Sequence, residues 1–202
     1  MARRNSNTGF DFSRHMASLC RDMSRRVSKL SHIDVDHMLI AVSQTRKPVQ
    51  HGVWASLTPM RFEGGQLTLV QNGSVYGCQR VYHATGVEVL YILRFYLPRF
   101  MDLPFFEKLS TVTHELWHVS PQFNGDIRRH AGRCYAHSNS QWTYDQRMQE
   151  LTREWLSLAP PANLYEFLKL DFANLRAKYG SIFGIQVSHP KLIQIASPEQ
   201  NG

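Results

Sequence analysis

The sequence predicts an α+β fold on three observations. An amphipathic stretch opens the chain, short segments rich in β-branched and aromatic residues follow, and helical apolar spacing returns after Pro104. The 202 residues are 43% hydrophobic and 19% charged, globular values in a length sufficient for one buried core. We therefore expect a flexible N-terminus at residues 1–8, a single domain at 9–190 and a C-terminal tail at 191–202.

Phe12, Met16, Leu19, Met23 and Val27 recur every three or four residues, which predicts an N-terminal helix over Phe12–Leu30 with Arg and Ser on its outer face. The segments His37–Ser43, Val53–Phe62, Leu67–Gln71 and Val89–Leu97 read as strands, separated by Lys47-Pro48, Gly64-Gly65 and Asn72-Gly73. Such short, turn-punctuated strands predict a small, mostly antiparallel sheet. Pro98 and Pro104 close the sheet region, and Pro104 suits the start of a following helix. In that helix Phe105, Leu109, Val112, Leu116 and Val119 form one apolar stripe, while His114 and His118 lie on the opposite side. Ser120-Pro121 ends it, because the residue before Pro resists helical conformation. A long connection over Pro121–Asn139 follows, and connections of that length are usually functional. Thr143–Leu158 and Asn163–Lys178 predict C-terminal helices broken at Pro160-Pro161, and Gly184–Ile195 a final short strand.

Charge and cysteine content narrow the setting. The net charge of +7 is carried mainly by Arg, with Arg3, Arg4, Arg14, Arg21, Arg25 and Arg26 all before residue 30. Nucleic acid is thus a candidate anionic partner, although no nucleic-acid motif accompanies the charge, and a solvated basic helix face is the simpler reading. Cys20, Cys78 and Cys134 are three, far apart and without a CxxC pair, which points to a reducing, cytoplasmic setting and away from a disulfide framework. The most apolar run, Val87–Leu97, contains Glu88 and Arg94 and is about half the ~20 residues a membrane span requires, so no membrane association is expected.

The chemistry centres on His114-Glu115-Leu116-Trp117-His118, an HExxH pattern in helical register. Residues four apart stack on a helix, so His114 and His118 can grip one zinc ion with Glu115 beside it as the acid–base group. Catalytic zinc takes three protein ligands and keeps one position open. His137 and His130 are the candidates for the third ligand. His137 is preferred because it stands just before a helix that can hold its ring. Asn124 stands where the metzincin pattern has its third His, so that continuation is excluded. Trp117 is expected to pack beneath the site, and Cys134 to be a small buried residue.

The runs Thr113–His118 (THELWH), Gly125–Ser138 (GDIRRHAGRCYAHS) and Tyr144–Leu151 (YDQRMQEL), with Trp142 after the His137-Ser138 pair, resemble the small HExxH zincin metallopeptidases of the SprT-like and phage metallopeptidase type. The resemblance implies a zincin-like fold with an HExxH active-site helix and zinc-dependent hydrolysis of a peptide or protein substrate. Zinc would acidify a water, and Glu115 would take its proton as a polarised carbonyl is attacked. Tyr135, His130 or Tyr144 could donate to the oxyanion, and Arg129, within the Arg128, Arg129 and Arg133 cluster, could hold a substrate carboxylate or pair with Asp126. Asp126 and Asp145 are candidate acceptors for ligand His N–H groups, although loop or cap roles are commoner for such carboxylates. The second expectation is a basic nucleic-acid-associated protein in which the zinc site is structural or recruiting.

Overall fold

The computed structural model describes residues 9–45, 52–129 and 141–196, with side chains in the last segment described from Asp145 onward. The fold is α+β. The elements in chain order are β1 (Phe10–Asp11), α1 (Phe12–Arg26), β2 (Met38–Gln44), β3 (Ala55–Pro59), β4 (Thr68–Gln71), β5 (Ser74–Cys78), β6 (Tyr91–Leu97), α2 (Phe105–Trp117), α3 (Gln141–Ser157), α4 (Phe172–Tyr179), β7 (Ile182–Phe183) and β8 (Leu192–Ala196), with single 3-10 turns between them.

α1 forms where its apolar stripe predicts. Asp11 caps it by accepting from the Arg14 backbone N–H at 3.0 Å, and Phe12, Met16, Leu19 and Met23 are fully buried. The helix stops at Arg26, four residues before the predicted Leu30, because Ser28–Leu30 tightens into a 3-10 turn.

The strands make three small sheets, in the orders β2-β6-β3, β4-β5-β8 and β1-β7. The antiparallel expectation holds for β3/β6, β4/β5 and β5/β8, but the longest ladder, β2/β6, is parallel over Met38–Gln44 and Tyr91–Leu97. Its physical reason lies in burial. Met38–Val42 and Tyr91–Phe95 are buried on both faces, as parallel strands generally are, and the chain makes the β3–β5 excursion before β6 returns beside β2. Met38, Ile40, Val42, Tyr91, Leu93 and Phe95 join α1, α2 and α3 in the main core. Leu39, Ala41 and Ile92 point the other way, into a smaller cluster with Met60 and Val89.

β5, between the predicted Leu67–Gln71 and Val89–Leu97 strands, is an element the sequence reading omits. Asn72-Gly73 is the turn between β4 and β5, with positive φ at both residues as a tight hairpin requires. Leu192–Ala196 is the strand β8 paired with β5; it overlaps the end of the predicted Gly184–Ile195 strand and lies within the segment read as a tail. The predicted Asn163–Lys178 helix is instead two 3-10 turns, Ala162–Leu164 and Glu166–Lys169, followed by α4, whose N-cap Asp171 accepts from Asn174 N–H at 2.7 Å.

Three contacts fix α2 and α3 around the centre. The Lys108 ammonium, 2% exposed, donates to the carbonyls of Leu168 at 2.9 Å and Leu170 at 2.7 Å. Thr113 and Thr152 share a buried hydroxyl hydrogen bond of 3.0 Å between the two helices. Trp155 Nε1 donates to Asp22 at 2.9 Å and ties α3 to α1.

Glu88 anchors the segment before β6. Its carboxylate accepts from Arg61 and, at 2.7 and 2.8 Å, from Arg80, and these guanidiniums hold its pKa down at about 2. A carboxylate depressed in the folded state stabilises the protein above its unfolded value near 4.5 and loses that contribution as pH falls toward 2. With Arg80 half exposed, the contribution is about 1–2 kcal/mol after screening. Urea unfolding at pH 6 and pH 2 should show the wild type losing more stability than Glu88→Gln, by about that amount.

Candidate metal centre

The HExxH pentapeptide occupies the last turn of α2. His114 and Glu115 are helical, and His118 is the C-cap, still in right-handed helical conformation. Leu109, Val112, Leu116 and Val119 are completely buried on the opposite face, as their spacing predicts. That anchoring turns both imidazoles to the same side, with His114 Nε2 and His118 Nε2 3.0 Å apart and the rings crossing at 75°. Two nitrogens bound to one zinc at ~2.0–2.1 Å in tetrahedral geometry lie about 3.3 Å apart, so the pair fits a shared ion.

Glu115 is only 8% exposed, and burial pushes its carboxyl up to about 7, partly offset by the backbone N–H of Leu57. Leu57 belongs to β3, an edge strand of the β2-β6-β3 sheet. The hydrogen bond of Tyr96 N–H to Trp54 C=O at 3.0 Å and of Met60 N–H to Leu90 C=O at 3.1 Å set the ladder's parity. Ser56 and Thr58 therefore face β6, while the backbone groups of Ala55 and Leu57 face outward, toward α2. A cleft of about 490 Å³ opens there, with His114 and Glu115 in its wall beside Val53, Trp54 and Met148.

The chain beyond His118 folds back on itself. Val119 bridges Ile127, and Arg128 N–H donates to His118 C=O at 2.7 Å. The buried Tyr91 hydroxyl donates to Asp126 C=O at 2.8 Å and accepts from Gly125 N–H at 3.0 Å. Gly125 has φ +84°, and a Cβ there would lie 2.5 Å from Arg61, so no other residue fits without rearrangement. Tyr91→Phe leaves the buried Gly125 N–H short of a partner, while Asp126 C=O keeps the Ser120 N–H at 3.2 Å, and should cost about 1–3 kcal/mol. Thermal melts would measure the loss, and weaker metal retention should accompany it, because this bracket supports the turn that carries His118.

Asp126 is occupied by this bracket: its carboxylate accepts from Gly64 N–H at 2.9 Å and from Arg129 at 2.8 and 3.0 Å. Arg129 also reaches Glu63 at 3.3 Å. The structure thus places Arg129 in an ion pair with Asp126, one of the two expected roles, and Asp126 in a loop, the commoner role for such a carboxylate. Trp117 is buried between two guanidiniums, those of Arg128 at 3.9 Å and Arg147 at 4.5 Å from its ring, and Arg128 Nε donates to its carbonyl at 2.7 Å. Asp145 lines the cleft.

His130, Arg133, Cys134, Tyr135 and His137 lie outside the described residues, as does the side chain of Tyr144. Among the described residues no third metal-ligating side chain joins His114 and His118. Among the other histidines, His15 stacks on Phe10 with centroids 4.2 Å apart, and His37 bonds the Glu88 carbonyl. Burial lowers the pKa of His32 and Arg128 adds to that effect, which favours a neutral ring. On α1, Arg21 pairs with Asp36 and Arg26 with Asp22, so acidic residues interrupt its basic face. No described helix is long and apolar enough to cross a membrane.

The sequence reading missed the β3 side of the cleft. Leu57 acts through its backbone, and Trp54 and Val53 lie some 60 residues before the motif. A signal did exist on α2: Glu107, Ser110, Thr111 and His114 are polar at helical spacing, and all four line the cleft. Comparison of the chain with protein-family models, with curated proteins and with solved structures gives no match.

Proposed function

We propose that the chain is a zinc-dependent metallopeptidase of zincin-like fold. The observation that carries this reading is the convergence of His114 and His118 Nε2 to 3.0 Å, with Glu115 buried next to them and facing the edge strand β3. His114 and His118 would hold the ion with a third imidazole from the following segment, His137 in preference to His130.

Bound zinc supplies Lewis acidity, which acidifies a water and polarises a carbonyl. Glu115 takes the proton of that water and returns it to the departing amine. A carboxyl near 7 in its protein environment suits both transfers, and a nearby cation would draw it lower. The outward N–H and C=O of Ala55 and the C=O of Leu57, whose N–H is held by Glu115, can pair with the main chain of an extended substrate, which holds a peptide bond beside Glu115. Tyr135, Tyr144 or His130 would supply the donor to the oxyanion, while Arg129, held by Asp126 and Glu63, is a brace for the loop.

Hydrolysis of an unfolded protein such as reduced casein should disappear on treatment with a zinc chelator and return on adding zinc. Hydrolysis that survives complete metal removal would contradict the proposal.

A further inference from the structure

The cleft beside the HExxH helix has a sign opposite to that of the chain. The protein carries a net charge of +7, yet no Lys or Arg side chain lines this cleft among the described residues, whereas Glu107, Glu115 and Asp145 do. One wall is apolar. Trp54 is 39% exposed and Val53 55% exposed, both at the entry to β3, and the buried Met148 of α3 continues that wall. Large apolar side chains left open beside a candidate reaction centre offer a surface for a substrate side chain.

Glu107 sits two helical turns before His114 on the same face of α2. Seven residues of helix span about 10 Å. Three residues of extended chain cover about the same distance. A peptide lying along β3 with its scissile bond at Glu115 would thus place a side chain against Trp54 and Val53, and one about three positions from the cut near Glu107. Glu107 also lies in the first turn of α2, where a carboxylate favours the helix dipole, but that role does not require the cleft in front of it.

From this geometry we infer that the cleft selects peptides with a large apolar or aromatic side chain next to the cleaved bond and a Lys or Arg about three positions away. The inference rests on the peptidase reading. The complementarity is local: opposite charges meet at Glu107, and the Arg99 guanidinium beside Gly52 donates to Val53 C=O at 3.0 Å.

The test uses the full zinc-loaded chain carrying Glu115→Gln, so that binding is read apart from hydrolysis. The probes are fluorescein-labelled alanine-based peptides with a central Phe and with Lys, Gln or Glu three positions to either side. Fluorescence anisotropy should show the Lys peptide binding about fivefold more tightly than the Glu peptide, the size expected of an exposed ion pair. Adding Glu107→Lys should reverse that order, and Trp54→Ala should remove the advantage of Phe over Ala at the centre. Cleavage of the same peptides by the wild-type enzyme is measured in parallel. Binding without these preferences, or no binding, overturns the inference. Cleavage without them overturns it while leaving the peptidase reading intact. The preferences without any wild-type cleavage leave the cleft's assignment standing and remove the hydrolytic one.

Discussion

Glu115→Gln should lower the rate of peptide hydrolysis about a thousandfold while leaving zinc content and melting temperature essentially unchanged. The size follows from removing a positioned proton acceptor and donor, which typically costs 10²- to 10⁴-fold. Structural damage is not expected. The Glu115 side chain is 8% exposed, Gln occupies nearly the same volume, and its amide oxygen can still accept from Leu57 N–H. Burial already works against the ionised carboxylate, so a neutral side chain suits the pocket. A variant that keeps wild-type turnover would remove Glu115 from the chemistry, whatever the metal does. A variant that unfolds would show that the buried carboxylate is needed for structure.

The second large effect is expected at the third ligand. His137→Ala should release zinc, with a loss of affinity exceeding the 10- to 100-fold seen when an outer partner of a ligand is removed. His130→Ala should keep the metal. Zinc competition with a chromophoric chelator gives both affinities under one set of conditions. Loss in His130→Ala alone would assign the ligand to His130, and retention in both variants would place the third ligand elsewhere in the chain.

The helices were legible in the sequence where one face is apolar and the other polar. α1 and α2 declare themselves through Phe12–Met16–Leu19–Met23 and Leu109–Val112–Leu116, all fully or almost fully buried. The parallel pairing of β2 with β6 was not legible, because register across some fifty residues is a property of the collapsed core. Nor did spacing reveal the break in 163–178. Tyr165 takes φ −131° there, and Asp171 starts a new helix with its own cap.

The candidate site divides in the same way. A fixed four-residue interval on one helix specifies the His114–His118 geometry, so two ligands and the adjacent carboxylate could be read directly. Burial in the folded core raises the pKa of Glu115, and the Leu57 N–H that partly offsets it and the Trp54 wall come from β3 and the residue before it, remote in sequence and contributing partly through the backbone. Arg129 shows the converse limit. Its residue type suits an anion site, but Asp126 and Glu63 fold against it.

Elemental analysis of protein purified from zinc-replete cells and dialysed extensively tests the central claim most directly. The account predicts about one zinc per chain in the wild type and in Glu115→Gln, and almost none in a His114→Ala, His118→Ala double variant of unchanged fold. Wild-type protein that carries no zinc, or a double variant that carries as much as the wild type, would contradict it.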